Sequence, residues 1–288
     1  MEMKSRGDCI VSIIIVHYKA DKYFFACLDS IYKNKPKVSF EIIVVDNDEQ
    51  DTIEQKLKEK FPTIVYVKNT VNNGWGGGTN LGVKFAKGKY LYFLNPDTIV
   101  LRDALDNNYK FIQQNPKAGV VASLLLDAKR KVYQLQGTKT LTPFRAVIVY
   151  SFLNKWFSNN PVSSSFFYKN IKRDKPFIIE TPILSASIIK KNIFEKIGMF
   201  DENYFLYFEE NDLGKRVEKY GYINYINPNS KIVHVWEAST STRNDINEIF
   251  RASRKYYFQK YYGGFTAWFV DNCIMLPIFI KNIFYGRI

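Results

Sequence analysis

The sequence predicts an α/β fold with a mixed, mostly parallel sheet flanked by helices. Three observations lead there. Runs rich in Ile and Val recur at 10–16, 40–46 and 64–67, as expected of strands buried on both faces. Segments of helical character separate them, which implies crossover connections and parallel neighbours. Polar and acidic residues cluster just after the apolar runs, at Tyr18 and Lys19, at Asp46 and at Asp97. Ligands of parallel sheets bind at those carboxyl ends.

Taken in order, a strand over 10–16 is followed by a helix over 21–33. A second strand over 40–46 ends on Asp46. A helix over 51–60 follows, with Asp51 or Thr52 near its cap, and then a third strand over 64–67. The glycine-rich stretch from Asn73 leads into a helix over 79–86. A fourth strand, 89–94, precedes Asn95-Pro96-Asp97-Thr98. A helix over 103–114 and a short strand over 119–123 come next. Residues 124–175 read as an irregular connection. Regularity returns over 177–189, with helices near 192–197 and 211–220 and two short strands, 222–226 and 231–235. No internal repeat or low-complexity tract occurs.

The chain has 288 residues, and 46% of them are hydrophobic, enough for a large core. Its formal charge of +13 favours an anionic partner. Three dispersed cysteines, Cys9, Cys27 and Cys273, form neither a disulfide framework nor a CxxC metal motif. The apolar run after the charged N-terminus is too short for a secretory signal, and no stretch reaches the ~20 apolar residues of a spanning helix. A cytoplasmic protein is expected, peripheral on the inner face of the cell membrane. Two units follow: residues 1–242 as the main domain and 243–288 as a tail. That tail combines Arg251, Arg254, Lys255 and Lys260 with Tyr256, Tyr257, Phe258, Tyr261, Tyr262 and Trp268. It reads as an in-plane amphipathic anchor on an anionic membrane, or else as a helix packed on the core.

Several residues could carry chemistry. Glycines at 74, 76, 77 and 78 permit close backbone approach, and amides at a helix start favour phosphate. A plain tight turn is the alternative. The segment matches neither the dinucleotide fingerprint nor a P-loop. Asp97, after a buried strand, offers hard oxygen to Mg²⁺ or Mn²⁺, although Asn-Pro and Asp-Thr also suit an ordinary turn. Glu209, Glu210 and Asp212 could supply a general base, or could simply complement a helix N-terminus. His234 is one of two histidines and a possible metal ligand. His17 is assigned to packing. Together these groups suggest transfer from an activated nucleotide to an acceptor hydroxyl.

In this order the motifs resemble family 2 inverting glycosyltransferases of the GT-A fold, especially the rhamnosyltransferase-like branch. The resemblance runs from about Val11 to Ser239. It rests on Val16-His17-Tyr18, on Val44-Val45-Asp46-Asn47, on Asn73 through Gly82, on Leu94 through Thr98, on Gly198 through Phe205, on Tyr207 through Leu213, and on His234 with Ser239. It implies that Asp46 reads the donor base. Tyr18, Asn47, Gly74, Gly76, Asn80 and Asn95 would line the donor side. Asp97 and His234 would hold a divalent metal, Mn²⁺ or Mg²⁺. Glu210 would be the base, with Glu209 the adjacent candidate. Lys19 in place of Asn, Glu210 in place of Asp, and Ser185-Ala186 in place of Gly-Ala depart from the family pattern.

The resemblance further implies a nucleotide-sugar donor, with dTDP-rhamnose the first choice and another UDP- or GDP-sugar the second. The acceptor it implies is a lipid-linked saccharide in bacterial surface polysaccharide synthesis. A catalytically inactive membrane-surface adaptor is the alternative of a different class. No nucleic-acid partner is expected, because RNP-type and zinc signatures are absent.

Overall fold

A computed structural model describes residues 9–50, 52–130, 135–151, 154, 156–157, 160–235 and 244–285, with residues 276–285 as backbone only. Its strands are β1 (Val11–His17), β2 (Phe40–Asp46), β3 (Val65–Lys68), β4 (Tyr90–Leu94), β5 (Thr98–Val100), β6 (Ala118–Leu126), β7 (Gly137–Thr138), β8 (Phe177–Ile178), β9 (Thr181–Pro182), β10 (Ala186–Lys190) and β11 (Ile223–His234). Its helices are α1 (Asp21–Lys33), α2 (Glu54–Lys60), α3 (Gly74–Phe85), α4 (Ala104–Gln114), α5 (Pro143–Tyr150), α6 (Pro161–Phe166), α7 (Lys191–Lys196), α8 (Glu209–Lys219), α9 (Ile246–Tyr262) and α10 (Gly264–Tyr285).

The main sheet runs β3-β2-β1-β4-β10-β6-β11-β5, with β8 against β11. β3, β2, β1 and β4 are parallel, and β10 is antiparallel to both β4 and β6. β2 and β4 flank β1 on opposite sides, so the strand order reverses there and opens a crevice at the carboxyl ends.

The Ile/Val runs have a direct physical reason. Ile13 and Ile15 of β1 belong to one core, and Ile14 and Val16 to the other. β2 divides Ile42 and Val44 from Ile43 and Val45 in the same way. Helices α1 and α4 cover the first face, and α3, α7 and α8 cover the second. A third cluster joins Leu141, Ala146 and Phe166 to Tyr204, Phe208, Tyr257, Phe258, Val270 and Ile274. The tail helices therefore pack against the segment that leads into α8.

Four element readings change. The glycine-rich segment is not a loop before a helix, because α3 begins at Gly74. Residues 124–175 contain α5 and α6. Thr142 caps α5 by accepting from the Arg145 amide, and Asn160 caps α6 by accepting from Ser163. Each cap precedes a proline in the first turn, a start signal present in the sequence. The two short strands after residue 221 are one strand, β11, which continues past Pro228 with a register shift between Asn227 and Lys231. The short β5 follows the Asp97 turn and was not expected. Asp51 and Ser239 lie outside the described residues.

The glycines of α3 let it lie close on the sheet. A Cβ on Gly82 would stand 2.8 Å from Ile14 Cγ2 and 3.1 Å from Val45 Cγ2. Alanine is the better helix former by about 1 kcal/mol, yet overpacking costs about 1–3 kcal/mol. Gly82→Ala is therefore expected to lower stability in urea unfolding. A midpoint at or above that of the parent would mean α3 has room to spare.

Candidate active site

Asp97 stands in the turn between β4 and β5. Thr98 Oγ1 donates to the Asn95 carbonyl at 2.7 Å, which closes that turn. β11 pairs antiparallel with β5, placing His234 opposite Thr98. The Val235 amide donates to the Asp97 carbonyl at 2.9 Å. This register brings His234 Nε2 to 3.1 Å from Asp97 Oδ1, across 137 residues of chain. Both side chains are buried at the edge of a cleft.

The cleft measures about 440 Å³, within the range of small-molecule sites. Tyr18, Asn47, Asn72, Gly74, Asn95, Asp97 and His234 line one part of it. Tyr150, Phe167, Tyr207, Phe208 and Phe250 form an aromatic part, and Glu209 and Glu210 are also in its wall. Eight of the expected site residues thus share one cleft: Tyr18, Asn47, Gly74, Asn95, Asp97, Glu209, Glu210 and His234.

Asp46, Gly76 and Asn80 do not line it. Asp46 is fully buried beneath the strand ends. Its oxygens accept from Tyr66 Oη at 2.9 Å, Lys68 Nζ at 3.2 Å and the Asp48 amide at 3.1 Å, and His17 Nδ1 lies 3.3 Å away. Burial pushes this carboxyl up, but His17, Tyr66, the Asp48 amide and Lys68 outweigh burial and hold it at about 2. Its stabilising effect is present above the ordinary carboxylate value near ~4 and is lost as pH falls towards the depressed one. His17 also contacts Asp21 at 3.1 Å, so it links β1 to α1 as well as packing.

Asn80 clamps a distant loop. Its Nδ2 donates to the Phe200 carbonyl at 2.9 Å and to Glu202 at 3.0 Å, and its Oδ1 accepts from the Phe200 amide at 3.1 Å. Gly76 lies under Phe200: a Cβ added to it would stand 3.2 Å from Phe200 Cβ. At Gly74 φ is +80°, and an added Cβ would sit 1.8 Å from the Phe205 carbonyl oxygen. Much of this glycine-rich segment therefore supports the 200–208 loop. Asn47 donates to the Gly74 carbonyl at 2.9 Å and accepts from Asn69 at 2.9 Å, tying the β2 end to the start of α3. Asn69 and Asn72 join the site only in the structure, signalled in the sequence by no more than their asparagine-rich neighbourhood, whereas Glu202 lies in the Gly198–Phe205 stretch.

Asn95 is held by Ser185. The Asn95 amide donates to the Ser185 carbonyl at 2.8 Å, and Nδ2 donates to Ser185 Oγ at 3.2 Å. The serine that departs from the family pattern thus gains a partner at the cleft wall. Lys19 has φ of +48°, and its ammonium lies 5.4 Å from the Tyr18 ring centre.

Glu209 and Glu210 open α8 after two residues in left-handed conformation, Tyr207 (φ +68°) and Phe208 (φ +69°). Burial raises the Glu209 carboxyl well above the ordinary glutamate range, and the adjoining Glu210 charge raises it further. Burial likewise raises Glu210. Glu209 Oε2 is buried without a hydrogen-bond partner. Two acids so placed titrate as a pair and hold a proton to higher pH than either would in water. This pair favours the fold at low pH and loses that contribution as pH rises through its raised value.

A carboxylate and an imidazole side by side suit a divalent cation that also takes diphosphate oxygens. Among the described residues no cluster of three or more His, Cys, Asp or Glu could hold an ion by itself. Likewise, no helix among them is long and apolar enough to cross a membrane.

Comparisons with known proteins bear on the family and the fold. The family model described as glycosyl transferase family 2 matches residues 12–198. A poly(ribitol-phosphate) beta-glucosyltransferase of Bacillus spizizenii is 34% identical over 110 residues, 36% of this chain and 17% of that protein. An N-acetylglucosaminyl-diphospho-decaprenol L-rhamnosyltransferase of Mycobacterium tuberculosis is 23% identical over 208 residues, 67% of this chain and 66% of that protein. The chain thus spans under two thirds of the length of these relatives. Residues 1–349 of S. aureus TarS superpose with a TM-score of 0.56 at 15% identity, covering 97% of this chain and 76% of that one. GalNAc-T7 with UDP, GalNAc and Mn²⁺ gives 0.61 at 13%, covering 97% and 58%. The sheet is that of the GT-A transferases, and the chain belongs to glycosyl transferase family 2.

Proposed function

We propose that this transferase moves a sugar, with inversion, from a nucleotide diphosphate to a hydroxyl of a lipid-linked glycan in bacterial surface polysaccharide synthesis. One observation carries the reading: the Asp97–His234 pair and the Glu209–Glu210 pair face the same cleft. The proposed donor is dTDP-rhamnose. The mycobacterial relative's name supports it, since that protein is a rhamnosyltransferase acting on a diphospho-polyprenol. The glucosyltransferase name of the Bacillus spizizenii relative supports a different sugar, carried on UDP or GDP, as the second reading.

Asp97 and His234 would hold Mn²⁺ or Mg²⁺. Such an ion, when bound, supplies positive charge to the leaving diphosphate. Asn47, Asn95 and Tyr18 would orient the donor. Asp46 would act on the base from beneath, by fixing Tyr66 and Lys68, rather than by open contact. Glu210, paired with Glu209, would take the proton of the acceptor hydroxyl. A carboxyl with a raised affinity for protons is the stronger base once ionised.

The tail supports attachment at a membrane surface through α10. Phe265, Trp268 and Phe269 are exposed at helical spacing. The basic residues contribute less than their number suggests, because Arg251 and Arg254 pair with Asp271, and Lys260 pairs with Asp201 and Asp212.

The deciding assay is Mn²⁺-dependent nucleotide release from a panel of dTDP-, UDP- and GDP-sugars. Asp97→Ala should lower turnover at least about a hundredfold with unfolding unchanged. Retained turnover would remove the metal role. Glu210→Gln should lower kcat by about 10²–10⁴-fold and leave donor KM alone. A larger loss in Glu209→Gln would exchange the two roles. The base acts ionised, so the rate should fall as pH falls through a value above the ordinary glutamate ~4.3. An acid limb at or below that value would contradict the buried pair.

A further inference from the structure

The segment that delivers Glu209 and Glu210 is strained. Tyr207 and Phe208 are bulky, and each has a left-handed backbone that costs such residues about 1–2 kcal/mol. Consecutive residues of this kind persist only where the surroundings over-determine them. The surroundings here are α9.

Three sets of contacts run from α9 to this segment. Ser253 Oγ donates to the Leu206 carbonyl at 2.8 Å, just ahead of the turn. Phe250 lies 5.4 Å from Tyr207 and 5.2 Å from Phe208, and Tyr257 lies 5.7 Å from Phe208, between ring centres. Beyond the turn, Asp212 is fully buried in the first turn of α8. It accepts from Arg216 Nε at 2.7 Å, from Tyr261 Oη at 2.7 Å and from Lys260 Nζ. Lys260 also donates to Asp201 at 2.7 Å, and Tyr256 Oη donates to the same carboxylate at 3.0 Å. One ammonium thus ties together the two ends of the 201–212 segment.

We propose that α9 positions the general base. Lys260 and Ser253 hold the Tyr207–Phe208 turn and the first turn of α8, and so set where Glu209 and Glu210 stand in the cleft. This rests on reading the glutamate pair as the base. Neither Lys260 nor Ser253 lines the cleft, so both are positioning residues. α9 lies outside the 12–198 match to the family, and Phe250 nonetheless contributes to the cleft wall. The tail is on this account part of the catalytic unit, whatever its outer face binds.

Hydrogen exchange by mass spectrometry on the full chain tests it. Lys260→Met keeps the stem and removes the ammonium, and Ser253→Ala is a milder variant should the first fold poorly. Amides of 205–212 should exchange about tenfold faster or more, with β1 and β4 unchanged. Lys260→Arg should restore much of the protection. Where a donor from the panel turns over, Lys260→Met should lower kcat about tenfold with donor KM unchanged. Unchanged exchange at 205–212, or an equal loss across the sheet, would overturn the proposal. Glu210→Gln, run alongside, separates the two readings. If it turns over like the parent, the base assignment falls, and the exchange data still decide whether α9 holds the turn.

Discussion

A sheet buried on both faces admits polar groups inside it only where they are hydrogen-bonded, as Ser123 is to Tyr92, Asn108 and Ser230, and otherwise leaves them to the strand ends. That constraint organises this protein. β1, β2 and β4 give successive side chains to two apolar cores, and unpaired polar atoms within those cores would be costly. His17, Asp46 and Asn95 therefore appear where strands stop. Because β2 and β4 leave β1 on opposite sides, their ends diverge, and the cleft occupies the gap.

Two different kinds of support surround the cleft. Around Asn47 and the start of α3 the support is polar. Asn47, Asn69, Asn73, Asn80 and Glu202 form a chain of amide and carboxylate contacts between the β2 end, α3 and the 200–208 loop. Around the glutamate pair it is aromatic, with charged anchors at its rim. Tyr150 packs edge to face on Phe250, and Phe208 packs at a tilt against Phe250 and Tyr257, while Asp201, Asp212 and Asp271 each receive cations from α9. Asp201 is held at about 2; burial works against this, and Lys260, the Asn203 backbone and side chain, and Tyr256 prevail. Buried carboxylates matched this closely fix helix positions, because displacing one leaves an uncompensated charge.

The glutamate pair differs from these anchors. No cation contacts Glu209 or Glu210 among the hydrogen bonds and ion pairs of the described residues, and burial raises both. Carboxylates that only stabilise a helix start are usually solvated or bonded to amides, and such groups do not hold their protons more tightly. Destabilised acids at the wall of a cleft are a functional signature.

What the sequence determined by itself was everything governed by period and local chemistry. Ile/Val runs marked β1, β2 and β3, the Asn-Pro-Asp-Thr turn marked the end of β4, and the motif order marked the family. The Thr-Pro and Asn-Pro starts of α5 and α6 carry cap signals too, but the irregular composition of 124–175 hid them. Only the tertiary structure decided which distant groups meet. Asp97 finds His234 through the β5–β11 register, and Gly74 meets the Phe205 carbonyl through a loop more than a hundred residues away. Asp46 is a strand-end acid in the sequence, yet the lateral pairing of β2 with β3 places Tyr66 and Lys68 over it. The tail's basic and aromatic residues gave no local sign that Arg254, Tyr257 and Phe258 would be buried. Periodicity reports which side of an element is apolar, and burial against a partner 50 residues away depends on packing that no local pattern encodes.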